Sequence, residues 1–129
     1  MASNVPLLRK FVDTLYAGDL DTAFTQLHPD MILHEADSLP YAGNYHGPQG
    51  FRELLERVYA LVELQIKHTE LLDAGDTVIA RMDTTLTVRK TGESVDMPIV
   101  ELYTFDGDLI KYVDVFYKDT HAIVQTLGG

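Results

Sequence analysis

Apolar residues recur at helical spacing in the first half of the chain and alternate with polar ones in the second. Val5, Leu8, Phe11, Val12 and Leu15 fall on one helical face, with Ser3 or Asn4 placed to cap it and Gly18 to end it. Asp19 can cap a second short helix that carries Leu20, Ala23, Phe24 and Leu27, which Pro29 ends. Residues 31–36 read as a short strand. Residues 37–48, rich in Pro, Gly, Asn and Tyr, form a loop long enough to serve as a cavity rim or lid. Phe51, Leu54, Leu55, Val58, Tyr59 and Val62 then predict a long helix over 49–62.

From Leu64 the period changes to two. Ala74-Gly75-Asp76, Thr91-Gly92 and Asp106-Gly107 divide the rest into strands at 64–73, 77–89, 94–105 and 108–117. Asp119 can cap a last short helix that buries Ile123 and Leu127. Helices followed by a meander predict an α+β fold. Its curved antiparallel sheet, a cone-like half barrel, wraps around the N-terminal helices and one internal pocket. No repeat or linker interrupts the pattern, so a single domain over residues 1–129 is expected.

Composition narrows the chemistry. A hydrophobic fraction of 46% and a charged fraction of 23% suit a globular protein. The absence of cysteine removes thiol nucleophiles, disulfides and Cys-ligated metals. A formal charge of −10 opposes nucleic-acid binding. No apolar run reaches the roughly 18 residues of a membrane span, and the N-terminus lacks the pattern of a signal peptide. A soluble, cytoplasmic protein is therefore expected. There is no GxGxxG, P-loop, HExxH or GxSxG motif, and His28, His34, His46, His68 and His121 are scattered, with no pair at helix-face metal spacing. Neither cofactor nor metal is expected.

The informative residues are acids on apolar faces. Val95, Met97, Ile99, Glu101, Tyr103 and Phe105 share one face of their strand, and Glu101 is its only charge. Ile110, Tyr112, Asp114 and Phe116 share one face of the last strand, and Asp114 is its only charge. If the Asp106-Gly107 hairpin pairs Phe105 with Asp108, Glu101 lies opposite Tyr112. Glu101 and Asp114 are then diagonal neighbours about 7–8 Å apart. Two acids on one part-buried apolar surface push each other's pKa values apart, as proton transfer requires. The plainer alternative puts Asp114 in water at the rim and pairs Glu101 with a cation. Glu35, two residues after Leu33, would stand at the cavity mouth or simply be exposed. Arg81 and Asp83 fall on the more polar face of 77–89, opposite Val78, Ala80, Met82, Leu86 and Val88. Only a bulge or an odd-length loop would turn them inward.

The chain resembles the nuclear transport factor 2-like fold, which includes SnoaL-like polyketide cyclases, ketosteroid isomerases and limonene epoxide hydrolases. The resemblance rests on Leu15-Tyr16-Ala17-Gly18-Asp19-Leu20-Asp21, His28-Pro29-Asp30, Gly43-Asn44-Tyr45-His46-Gly47 and Phe105-Asp106-Gly107-Asp108-Leu109-Ile110, in that order and spacing. It implies that Glu35 stands at the isomerases' general-base aspartate and Glu101 near their protonated acid, while Phe11 replaces their hydrogen-bonding tyrosine. It also implies that Asp83, Arg81 and Asp114 look like the Asp-Arg-Asp set of the epoxide hydrolases. Leu33 and Glu35 stand where those enzymes hold water with a tyrosine and an asparagine. Asp114 further resembles the last-strand acid of the cyclases.

These readings converge on a cofactor-free acid/base enzyme for a small apolar oxygenated molecule such as a polyketide, terpenoid or steroid. Asp114 is its key acid, with Glu35, Glu101 or Asp83 as partner. The expected pocket wall is Phe11, Leu33, Tyr103, Tyr112 and Phe116, with the 37–48 loop at its mouth. A ligand-binding module without turnover and a protein-interaction module are the alternatives. A homodimer through the outer face of the sheet is expected from the apolar alternation there, together with what the resemblance implies.

Overall fold

The computed structural model describes residues 3–128; the ends of the expected 1–129 domain, residues 1, 2 and 129, lie outside the described residues. Helix α1 (Val5–Tyr16) buries Leu8, Phe11 and Val12, and Ser3 Oγ accepts the Val5 N–H at 3.0 Å. Helix α2 (Leu20–Phe24) starts where Asp19 accepts the Thr22 N–H at 3.3 Å. It ends earlier than its apolar spacing suggests, because Leu27 already pairs with Ile110 in the sheet. Strand β1 (Leu27–Glu35) thus begins before residue 31, and its register shifts between Leu27 and Ile32, around Pro29.

The 37–48 segment is not a lid. Leu39 and Tyr41 are buried, and Gly43–His46 forms a short strand, β2, paired to β1. Helix α3 (Gly47–Leu61) follows at once. Gly47 has a φ of +67°, and a Cβ there would lie 2.9 Å from the Pro29 carbonyl oxygen, so the turn requires glycine.

Strands β3 (Val62–Ala74), β4 (Thr77–Val88), β5 (Ser94–Asp106) and β6 (Leu109–Tyr117) form the meander, and helix α4 (Thr120–Thr126) closes on Ile123. The sheet is curved and open, in the order β2-β1-β6-β5-β4-β3, with β1 and β6 parallel and the other neighbours antiparallel. Helices α1 to α3 cover its concave face. Phe11 meets the rings of Phe51 at 5.8 Å and Tyr103 at 6.0 Å there. Burial of each such side chain contributes about 1.5–3 kcal/mol.

One register difference decides the site. The last hairpin pairs Asp106 with Leu109 and Phe105 with Ile110, around a turn led by Gly107 at a φ of +62°. A bulge then leaves Lys111 unpaired, and Thr104 pairs with Tyr112. One extra residue exchanges the two faces of the strand beyond it. Val113, Val115 and Tyr117 therefore face the core, while Tyr112, Asp114 and Phe116 face outward.

Candidate active site

The space left between helices and sheet is a cavity of about 620 Å³, within the range of small-molecule sites. Leu33, Met82, Leu86, Ile99 and Val115 supply its sheet wall, and Phe51, Leu54 and Val58 its helical wall. Its lining also includes Leu15, Tyr16 and Leu20 at the α1–α2 turn and Tyr59 on α3, and the Tyr16 and Tyr59 side chains are exposed. No residue of 37–48 lines it, which corrects the expected mouth.

Two acids project into this apolar space. In β5–β6 the register sets Glu101 opposite Val115. In β1–β6 it sets His34 beside Asp114, so Glu35 falls beside Val115 one step on. Glu35, Val115 and Glu101 thus form one row across three strands, with the acids two strand spacings, about 10 Å, apart at the backbone. Among the described residues, no lysine, arginine or histidine lines the cavity.

Glu35 is buried, and its Oε1 has no hydrogen-bond partner. Burial first, and the charge of Glu101 second, push its pKa up to about 8, against the pull of the Ala36 N–H. Glu101 lines the cavity and is half-buried. Burial pushes it up to about 7, opposed by the Tyr103 hydroxyl, which donates to its Oε1 at 2.9 Å. Burial and the Glu101 charge keep Tyr103 protonated far above the usual tyrosine range. The pair therefore holds its last proton across neutrality. Tyr103 stabilises the Glu101 carboxylate, and a charge on Glu101 in turn holds the proton on Glu35.

Three further hydroxyls surround the pair. Tyr16 donates to the Met82 sulfur at 3.0 Å, and Tyr117 shares a 2.7 Å hydrogen bond with Tyr41. Burial raises both members of that pair, Tyr41 to about 12. Tyr16 and Tyr117 were not among the sequence candidates, although Tyr16 ends an amphipathic helix and Tyr117 continues the Val113, Val115 alternation.

Of the sequence candidates, Glu35, Glu101, Leu33 and Tyr103 come together at the cavity. Phe11 packs behind the wall against Tyr103. Tyr112, Asp114 and Phe116 are carried to the outer face by the Lys111 bulge; Phe116 is 50% exposed. The expected diagonal of Glu101 with Asp114 is replaced by Leu102 opposite Asp114. Arg81 and Asp83 also lie outside, because Met82 takes the inward position opposite Ile99. Arg81 pairs instead with Glu70 at 3.5 Å in solvent. The Asp83, Arg81, Asp114 set is not assembled at the cavity. Among the described residues, no three His, Asp or Glu side chains gather as a metal site, and no helix is long and apolar enough to cross a membrane.

The SnoaL-like domain pattern matches residues 8–113. No curated protein matches the chain. Among solved structures, an NTF2-like protein from Burkholderia xenovorans LB400 is 20% identical, with 99% of each chain covered and a TM-score of 0.89. TerC, co-crystallised with polyporic acid, is 17% identical over 99% of this chain and 100% of its own, with a TM-score of 0.86. A candidate polyketide cyclase from Xanthomonas campestris pv. campestris is 18% identical over 95% of each chain, with a TM-score of 0.77.

Proposed function

The chain belongs to the SnoaL-like domain family, and from that premise we propose that it is a cofactor-free acid/base enzyme that moves a proton beside a carbonyl group. Its substrate is a small, neutral, apolar, oxygenated molecule, as a polyketide, terpenoid or steroid is. One observation carries the reading: two carboxyls with raised pKa values face one apolar cavity that no cation lines. A structural acid is ordinarily held by a cation or left in open water; neither of these carboxyls has a cationic partner, and both face the cavity.

Near pH 7.5 Glu101 is the carboxylate and Glu35 the acid. Glu101 removes a proton from the carbon next to the carbonyl. The C–H electron pair becomes the C=C bond of an enol, and the carbonyl pair moves to oxygen, where Glu35 donates its proton. The same groups can return a proton to another carbon, which isomerises the substrate, or let the enol carbon attack a second carbonyl, which cyclises it. The resemblance gives the base role to Glu35; the Tyr103 hydrogen bond favours Glu101 instead. A fold neighbour crystallised with polyporic acid supports a small-molecule cavity of this kind. We also assign a homodimer, formed through the outer face where Tyr112 and Phe116 are exposed.

The test is deuterium incorporation next to the carbonyl of 2-tetralone, followed by NMR. Exchange above the buffer rate is expected in a narrow bell with arms near 7 and 8. Glu101→Gln should lower it roughly 10²–10⁴-fold. Wild-type exchange at the buffer rate, or full activity in both Glu101→Gln and Glu35→Gln, would sink the proposal.

A further inference from the structure

The enol oxygen needs more than one donor, and the hydroxyls around the cavity are not equally free to serve. The Tyr103 proton is held by Glu101 and the Tyr16 proton points at the Met82 sulfur. Phe11 and Phe51 contribute rings without donors. Tyr41 and Tyr117 differ from these. Two hydroxyls 2.7 Å apart share one proton between them, which leaves the other proton in need of an acceptor.

Position decides which hydroxyl presents that proton. Tyr41 is 1% exposed, lies outside the cavity lining, and has its own carbonyl engaged by the Tyr45 hydroxyl at 2.8 Å. Tyr117 lines the cavity. With an acceptor in the cavity, Tyr41 donates to Tyr117 and Tyr117 donates inward. A tyrosine that accepts a hydrogen bond is a stronger donor in turn. The register places this hydroxyl near Glu35: Glu35 falls beside Val115, and Tyr117 is the next inward residue on that strand, opposite Ile99. The Glu35 charge is the largest influence on Tyr117 after burial, as that proximity requires.

We propose that Tyr117 is a further catalytic residue, which donates a hydrogen bond to the substrate oxygen beside Glu35, and that Tyr41 is its positioning residue. The inference rests on the enolisation reading and adds a donor to it. In the proton-removal step the carbonyl oxygen gains the electron pair. Glu35 supplies the proton and Tyr117 the second hydrogen bond, keeping its own proton. The loop over residues 37–42 then has a clear use: it buries Tyr41 behind Tyr117 and fixes the direction of the donor.

The test uses the full chain with two probes, 2-tetralone for exchange and 2-naphthol, its aromatic enol analogue, for binding. Tyr117→Phe should lower kcat for exchange roughly 10²–10³-fold with a small change in KM. Tyr41→Phe, which keeps the Tyr117 hydroxyl, should lower kcat about tenfold. Both variants should keep the two arms of the pH profile, since neither acid is touched. A merely structural role would instead show as an earlier melt with kcat and KM displaced together. Tyr117→Phe within threefold of wild type in kcat would overturn the proposal. Wild-type failure to exchange 2-tetralone would sink the enolisation reading without deciding this one, and 2-naphthol then decides. An affinity at least tenfold weaker in Tyr117→Phe supports the donor role. Equal affinities, or no binding of 2-naphthol by the wild type, overturn it.

Discussion

Replacing Glu35 with glutamine keeps the shape of a buried side chain and removes its proton equilibrium, so the stability of the variant reports directly on the cavity. Burial holds Glu35 protonated up to about 8, against 4.5 for an unhindered glutamate. The folded state therefore binds this proton more tightly than the unfolded chain. The stability that follows is fully present below 4.5 and is lost as pH rises through about 8. At pH 7 the unfolded chain has released the proton and the folded chain has kept it. The cost to folding is about 1.4 kcal/mol for each pH unit above 4.5, so roughly 3 kcal/mol at pH 7. Glutamine escapes that cost, but one end of its amide meets the same unpartnered position as Glu35 Oε1, at about 1 kcal/mol. Glu35→Gln should thus gain about 2 kcal/mol at pH 7, a rise of roughly 6–10 °C in Tm for a chain of this size. Thermal unfolding followed by circular dichroism at pH 5, 6, 7 and 8 measures it. The gap between variant and wild type should widen with each step up to pH 8. A gap that does not change with pH, or a variant that melts earlier throughout, would refute the claim that Glu35 is buried without a cationic partner.

Four other outcomes follow from the same geometry. Tyr103→Phe removes the donor that favours the Glu101 carboxylate, so the lower arm of the exchange profile should move above about 7; an unmoved arm would mean that the bond does not tune the acid. Asp114→Asn, on the outer face, should change exchange less than about threefold, and a loss of 10²-fold would return the key role to Asp114. Phe116→Glu should convert the proposed dimer to monomer in light scattering without loss of helix or sheet signal; a wild-type monomer at micromolar concentration would remove the dimer altogether. Gly47→Ala forces a Cβ to 2.9 Å from the Pro29 oxygen at a left-handed φ, and should cost about 2–3 kcal/mol in denaturant unfolding.

Much of the fold is legible in the sequence because the signals there are local. The helical spacing of Leu8, Phe11 and Val12 and the strand alternation of Val95 to Phe105 each place a face without reference to distant residues. The Met82 side of β4 and its exposed Arg81 side follow from the same alternation. The misplaced boundaries have tertiary causes. Leu27 satisfies a helical spacing but finds a better partner in Ile110, and the Pro- and Gly-rich run after Ala36 looks like a surface loop, yet it buries Leu39 and sets Tyr41 against Tyr117 of β6.

The site was half legible, and a single residue accounts for most of the other half. Alternation on β6 offers two faces, Tyr112, Asp114 and Phe116 against Val113, Val115 and Tyr117. Continuing from buried Ile110 in steps of two selects the first. The pattern holds a contrary signal, since two β-branched residues separated by one acid suit an inward Val113 and Val115 better than an inward Asp114. Lys111 resolves the conflict. As an unpaired bulge residue it keeps Ile110 inside and turns Val113 inside as well, and a charged side chain suits the open side of a bulge. The same shift that removes Asp114 from the cavity brings in the Tyr117 hydroxyl and leaves Glu101 facing Glu35 across Val115. The acid on the last strand and the hydroxyl at its end are therefore alternatives: the sheet can present either to the cavity, but not both.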